Sequence, residues 1–82
     1  MSYHKFVTGE TPFQIDAESV IIGSSESGYT LYAGPSSDDL QVYKAPDGSD
    51  VEVAANHPLT VMCARGTWFK LVDNTGSVKI NY

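Results

Sequence analysis

Apolar and polar side chains alternate with a period of two along much of this 82-residue chain. The alternation is clearest at residues 51–55, 59–63, 69–71 and 78–82. No window sustains the three- and four-residue spacing of an amphipathic helix. Because successive side chains of a strand point to opposite faces, the pattern predicts antiparallel strands with one buried face and one hydrated face.

Turn-forming residues separate the alternating stretches at intervals of about 8–12 residues. Segments rich in Gly, Pro, Ser, Asn and Asp occur at residues 23–28, 34–39, 46–50, 56–58, 65–66 and 73–76. This spacing is typical of an all-β fold, and we predict a small antiparallel β-sandwich or jelly-roll-like barrel of roughly seven or eight strands.

The chain has the length of one domain with a thin core. We assign residues 18–82 to a single all-β domain. Residues 1–17 are an irregular N-terminal segment, which forms either an edge strand of the same domain or an arm that reaches a neighbouring subunit. The predicted core consists of inward-facing apolar side chains: Val20, Ile22, Leu31, Val42, Val51, Val53, Leu59, Val61, Phe69, Leu71, Val78 and Ile80.

Ten acidic and five basic side chains give a formal net charge of −5. The five cations are spread along the chain without forming a cluster. Nucleic acids and anionic membranes are bound chiefly through clustered Lys and Arg, so we expect neither as a partner. The longest apolar run, residues 61–64, is far shorter than the about 20 residues of a membrane-spanning helix, and we expect no signal peptide.

Residues that could support catalysis or bind a metal are few and scattered. Cys63 is the only cysteine, and its phase with the preceding apolar residues predicts a buried structural thiol. Together with His4 and His57 it does not supply the four ligands of a zinc site. The acidic pairs at 38–39 and 47–50 lie in predicted solvated turns, where a weak calcium site at 47–50 is the alternative. We therefore expect a protein that is not an enzyme and has no cofactor.

Nine aromatic residues are many for so small a core. If Leu31, Val42, Phe69 and Leu71 fill the core, the alternation directs three rings outward: Tyr32, Tyr43 and Trp68. Such rings can be covered by a second sheet, be buried in a protein interface or stack on sugars. All three alternatives stay open. The candidate interface combines these rings with aromatic residues of the N-terminal segment and a basic rim: Tyr3, Phe6, Tyr32, Tyr43, Arg65, Trp68 and Lys70.

Residues 59–80 contain Gly66-Thr67-Trp68-Phe69-Lys70-Leu71-Val72-Asp73-Asn74 and then a final alternating strand. Together with residues 28–32 and the polar hairpin after them, this segment resembles small virion proteins of tailed bacteriophages, of the head decoration (cement) or head-fibre base type. The resemblance covers about residues 28–82. It implies a structural protein of the virion, located on the capsid surface and synthesised in the host cytoplasm. Its implied partners are a capsid protein and further copies of itself, with a trimer favoured.

The alternative function is a carbohydrate-binding or adhesin module that uses Trp68 and the tyrosines. The substitution Trp68→Ala separates the two interpretations. It is expected to weaken assembly by a few kcal/mol if the ring is a buried contact, and to abolish saccharide-dependent binding if the ring is a sugar platform.

Overall fold

The computed structural model describes residues 3–82. Over these residues the chain forms nine strands and no helix, which confirms the predicted all-β class. The strands are β1 (His4–Thr8), β2 (Phe13–Ile15), β3 (Ser19–Ile22), β4 (Tyr29–Ser36), β5 (Asp39–Val42), β6 (Glu52–Val53), β7 (Leu59–Met62), β8 (Thr67–Val72) and β9 (Ser77–Asn81). The number exceeds the expected seven or eight because the N-terminal segment supplies two strands.

The strands form two antiparallel sheets that pack face to face as a small sandwich. Sheet A has the order β1-β9-β3-β7, and sheet B has the order β2-β8-β4-β5, with the short β6 also paired to β4. The inner face of each sheet contacts the other sheet, and the outer face is directed to solvent. The Cα atoms extend over 30 × 27 × 23 Å.

The N-terminal segment contributes one edge strand to each sheet. β1 pairs with β9 along its whole length, and β2 pairs with β8. Three side chains of this segment, Val7, Phe13 and Ile15, are buried between the sheets. The described part of this segment therefore forms edge strands of the same domain rather than an arm that reaches a neighbouring subunit.

The core is built from the inner faces of both sheets. Its buried apolar side chains are Val7, Phe13, Ile15, Val20, Ile22, Tyr29, Leu31, Val61, Phe69, Leu71, Val78 and Ile80. The predicted core positions of β3, β8 and β9 are all buried. Val51, Val53 and Leu59, which were also predicted, are only partly buried because they lie near one open side of the sandwich.

β5 has the opposite phase to the prediction. Val42 pairs with Tyr32 and is half-buried rather than part of the core. The next residue, Tyr43, donates its backbone N–H to the carbonyl of Leu31 at 2.8 Å and packs against the core. The expectation that Tyr43 points outward is therefore wrong. From Leu40 to Tyr43, just past the end of β5, apolar residues occupy both phases, and the β4–β5 register shifts at a bulge, so a period of two does not determine the buried face.

Two buried polar side chains join the loops at one end of the sandwich. The hydroxyl of Ser25 donates to Asn74 Oδ1 at 2.5 Å, and Asn74 Nδ2 donates to the Gly9 carbonyl at 2.9 Å. Ser25 and Asn74 are 1% and 4% exposed. Because each is hydrogen-bonded, their burial ties three loops together, and we assign them a structural role.

Candidate interaction surfaces

The structure separates the seven predicted interface residues. Phe6 lies on the outer face of sheet A, Tyr3 precedes β1, Tyr32, Trp68 and Lys70 lie on sheet B, Tyr43 lies between the sheets, and Arg65 lies in the turn after β7. The outer faces of a sandwich point in opposite directions, so one flat partner cannot cover Phe6 and Trp68 together.

The outer face of sheet A carries exposed apolar side chains on three of its four strands. Phe6 on β1 is 65% exposed, Ile21 on β3 is 46% exposed and Met62 on β7 is 71% exposed. The strand register places Ile21 in one row with His4 and Thr60, and it places Phe6 and Met62 in the rows on either side. The three side chains thus follow a diagonal across the sheet, which we call the apolar diagonal. Because exposed apolar patches are frequent at interaction sites, this face is the candidate interaction surface.

The strands of sheet A contain no acidic residue, although the chain has twice as many acidic as basic side chains. Lys5 and Lys79 are the only Lys, Arg, Asp or Glu residues in these strands. The centres of protein interfaces are depleted of charged residues and enriched in aromatic residues and Met. The outer face of sheet A thus carries no acidic residue, and its one charged residue within the strands is Lys79, opposite Phe6.

Sequence reasoning identified only Phe6 of the apolar diagonal. Ile21 had a usable signal, because residues 20–22 are an unbroken apolar triplet and a strand that is apolar at both phases has something to cover on each face. Met62 lies on the face of β7 that the alternation predicts to be hydrated. It is exposed because no element between residues 3 and 82 covers that face.

Three of the predicted residues are neighbours on the outer face of sheet B. Lys70 lies directly opposite Tyr32, and Trp68, two residues earlier on β8, pairs with Gly34. All three predicted side chains are half-buried. Trp68 and Tyr32 thus face outward as expected, but they are more covered than the side chains of the apolar diagonal.

An apolar cleft of about 270 Å³ opens between the sheets on the β7 side. Its lining includes Leu31, Tyr43, Val51, Leu59, Val61 and Met62. The cleft exists because β7 is the last strand of sheet A, whereas the opposing part of sheet B consists of the short strands β5 and β6 and the turn between them. Tyr43 belongs to this cleft rather than to an outer face.

The titratable side chains are dispersed over the part of the chain that the structure describes, and no three of His, Cys, Asp or Glu there could hold a metal ion. The Cys63 thiol donates to the Ala17 carbonyl at 3.4 Å, and burial raises the pKa of this thiol, which opposes nucleophilic activation. Cys63 and His4 lie at opposite edges of sheet A.

Hydrogen bonds from the Ser49 hydroxyl and backbone N–H lower the pKa of Asp47, whereas a general acid needs a raised pKa.

Arg65 takes part in a local contact rather than in a basic surface. Its Nη1 atom donates to the Asp16 carbonyl at 3.1 Å and lies 3.7 Å from an Asp16 carboxylate oxygen. Both side chains are largely exposed, so the ion pair is worth at most about 1 kcal/mol.

Comparisons with protein-family models, curated proteins and solved structures found no match for this chain. The resemblance of residues 28–82 to phage virion proteins therefore stays a prediction. Between residues 3 and 82 the structure contains no helix that is long and apolar enough to cross a membrane.

Proposed function

We propose that this protein is a non-enzymatic structural protein of a tailed-phage virion, which binds the capsid surface and further copies of itself through sheet A. The observation that carries the choice of surface is the apolar diagonal of Phe6, Ile21 and Met62, exposed on a sheet without acidic residues. The virion assignment is supported by the resemblance of residues 28–82 to head decoration and head-fibre base proteins.

The apolar diagonal is large enough to direct a contact but too small to hold one alone. Complete burial of a side chain of this size stabilises by about 1.5–3 kcal/mol, and the three are roughly half to two-thirds exposed, so covering them provides about 3–5 kcal/mol. Association costs about 4–15 kcal/mol in lost freedom of motion. Stable attachment therefore requires several copies acting together or further contact area beside the diagonal.

Co-sedimentation with shells assembled from the major capsid protein of the same genome tests the proposal. The central substitution is Ile21→Lys, and Thr30→Lys, on the outer face of sheet B, is the matched control. Both variants are first compared with the parent by circular dichroism and thermal unfolding, so that lost binding is not confused with lost folding.

We expect the parent and Thr30→Lys to pellet with the shells and Ile21→Lys to bind at least tenfold more weakly, because a lysine at the centre of the contact opposes dehydration. Failure of the parent to bind these shells would refute the virion assignment. Loss of binding in Thr30→Lys with retention in Ile21→Lys would show that sheet B forms the contact.

A carbohydrate-binding or adhesin module is the second candidate function. Its supporting observation is the outward Trp68 and Tyr32 on sheet B, because aromatic rings on a sheet face can stack on sugars. A glycan array with the parent, Trp68→Ala and the control Phe6→Ala tests it. Saccharide-dependent binding that only Trp68→Ala loses would support this function, and an array without any binding would remove it.

A further inference from the structure

We propose that copies of this chain join head to tail, with β1 of one copy paired to β7 of the next, so that sheet A continues from copy to copy. This inference rests on the self-association included in the proposed function and names the surfaces that carry it. The four sheet edges of the sandwich differ in how well they can accept another strand.

Both edges of sheet B are poorly suited to strand addition. At the β2 edge, Lys5 Nζ donates to the Gln14 carbonyl at 2.7 Å. The carbonyl of the next residue, Ile15, accepts a hydrogen bond from the Gly66 backbone N–H on the β8 side. Because carbonyls alternate in direction along a strand, the Gln14 carbonyl points to the free edge, where its hydrogen bond from Lys5 covers it. At the other edge, β6 has two residues, and β5 begins at Asp39 and is irregularly paired with β4. Covered acceptors, charges, bulges and short strands are the features that prevent edge-to-edge pairing.

The edges of sheet A are longer and regular. β1 has five residues and β7 has four, and within residues 3–82 each has one strand neighbour, β9 and β3 respectively. Neither edge contains a proline, and β7 contains no charged residue. The single charge of β1 is Lys5, whose ammonium group is directed to sheet B.

The backbone of β1 presents a row of hydrogen-bonding groups to the side away from β9. Tyr3 and Tyr82 exchange both of their backbone hydrogen bonds, at 2.7 and 2.9 Å. In an antiparallel ladder, alternate residues direct N–H and C=O to alternate sides. The groups of His4, Phe6 and Thr8 therefore point to the free edge.

The same alternation applies to β7. Cys63, just after the strand, donates its backbone N–H to the Glu18 carbonyl of the β3 side at 2.9 Å. Thr60 and Met62 are out of phase with Cys63, so their N–H and C=O groups point away from β3. β7 thus presents two outward residues, which can pair with two of the three outward residues of β1.

Direction and side-chain phase agree with pairing between copies. All neighbours in sheet A are antiparallel and the sheet has four strands, so β1 and β7 run in opposite directions. Copies related by a rotation about an axis along the strands therefore bring β1 and β7 together as an antiparallel pair. The outward-pointing residues of both edges carry their side chains on the outer face. In the register that pairs Phe6 with Met62 of the next copy, Thr8 pairs with Thr60 and the apolar diagonal continues between the copies.

The side of the sandwich at β7 also has an apolar area to cover. The cleft of about 270 Å³ opens there, and a strand added to β7 lengthens sheet A across its mouth. A head-to-tail contact closes into a ring where the rotation permits, and a ring of three is the trimer that the resemblance implies.

Two variants, each blocking one edge, test the inference. Phe6→Pro removes an outward N–H from β1, and Met62→Pro removes one from β7, while both leave the hydrogen bonds to the chain's own neighbouring strand in place. Phe6→Lys and Met62→Lys replace them if either proline variant fails to fold. Thr30→Lys, on sheet B, is the control. Masses are measured by sedimentation velocity from micromolar to millimolar concentration.

We expect the parent and Thr30→Lys to assemble and each edge variant alone to be a monomer of 8.9 kDa. An equimolar mixture of the two edge variants should form a heterodimer of about twice that mass and nothing larger, because each supplies the edge that the other lacks. A mixture that stays monomeric while the parent assembles would overturn the inference, as would assembly of either edge variant alone. A parent that is monomeric throughout would also overturn it, whereas shell co-sedimentation decides the proposed function separately.

Discussion

The buried hydroxyl of Tyr29 allows a quantitative test of the core. Tyr29 is 4% exposed and lies on β4 opposite Val53. Among the described residues, its hydroxyl has no hydrogen-bond partner. A buried polar group without a partner costs about 1–3 kcal/mol. The substitution Tyr29→Phe removes only this oxygen, so we expect the free energy of unfolding at pH 8 to rise by about 1–2 kcal/mol.

The effect should grow at alkaline pH. Burial raises the pKa of Tyr29 from 10.0 to about 12. Between these two values the unfolded chain loses the phenol proton while the folded chain keeps it, so stability falls as pH rises. At 1.36 kcal/mol per pKa unit, the contribution is complete below pH 10, has fallen by about 2 kcal/mol at pH 11.5, and is lost once the pH passes about 12. Tyr29→Phe cannot show this loss.

Urea unfolding of the parent, Tyr29→Phe and the control Tyr3→Phe at pH 8 and pH 11.5 provides the measurement. The Tyr3 ring is 57% exposed, so the control removes a phenol from the surface. The stability difference between Tyr29→Phe and the parent should widen by about 2 kcal/mol at the higher pH. A destabilised Tyr29→Phe at pH 8, or a difference that does not widen, would refute the described environment of this side chain.

Three further substitutions test the packing. Asn74→Ala should lower the free energy of unfolding by about 2–4 kcal/mol in urea titrations, since it removes the acceptor of the Ser25 hydroxyl and the donor to the Gly9 carbonyl. Ser77→Ala, at an exposed position, should change it by less than about 0.5 kcal/mol. Gly34→Ala should cost more than about 3 kcal/mol in thermal unfolding, because a Cβ atom there overlaps the backbone at the β4–β5 bulge. Cys63→Ala should leave shell binding unchanged, and the parent thiol should react with a disulfide reagent at least tenfold more slowly when folded than in urea.

The alternation predicted the buried face where only one phase of a strand is apolar. In β9, Val78 and Ile80 alternate with Lys79, and both apolar residues are fully buried. From Leu40 to Tyr43, where β5 ends, apolar residues occupy both phases, and the buried face follows instead from the pairing of Tyr43 with Leu31 across a bulged hairpin. Such pairing depends on contacts between distant segments, which a local period does not contain.

The candidate surface was predictable only in part, for a related physical reason. Aromatic content indicated a contact surface that included Phe6, which the structure leaves 65% exposed. It also favoured Trp68, which the structure leaves half-buried on the opposite sheet, while Met62 is 71% exposed. Period two shows which residues share a face of a strand, but not which face remains uncovered once the sheets pack. That information required the strand order of sheet A.

Backbone amide hydrogen exchange at several protein concentrations tests most directly whether sheet A is the contact surface. Pairing of β1 with β7 between copies predicts that exchange slows with rising concentration at the outward amides of these strands, while β4 and β8 are unchanged. These amides are His4, Phe6, Thr8, Thr60 and Met62. Protection that instead appears on β4 and β8, or exchange in sheet A that does not depend on concentration, would contradict it.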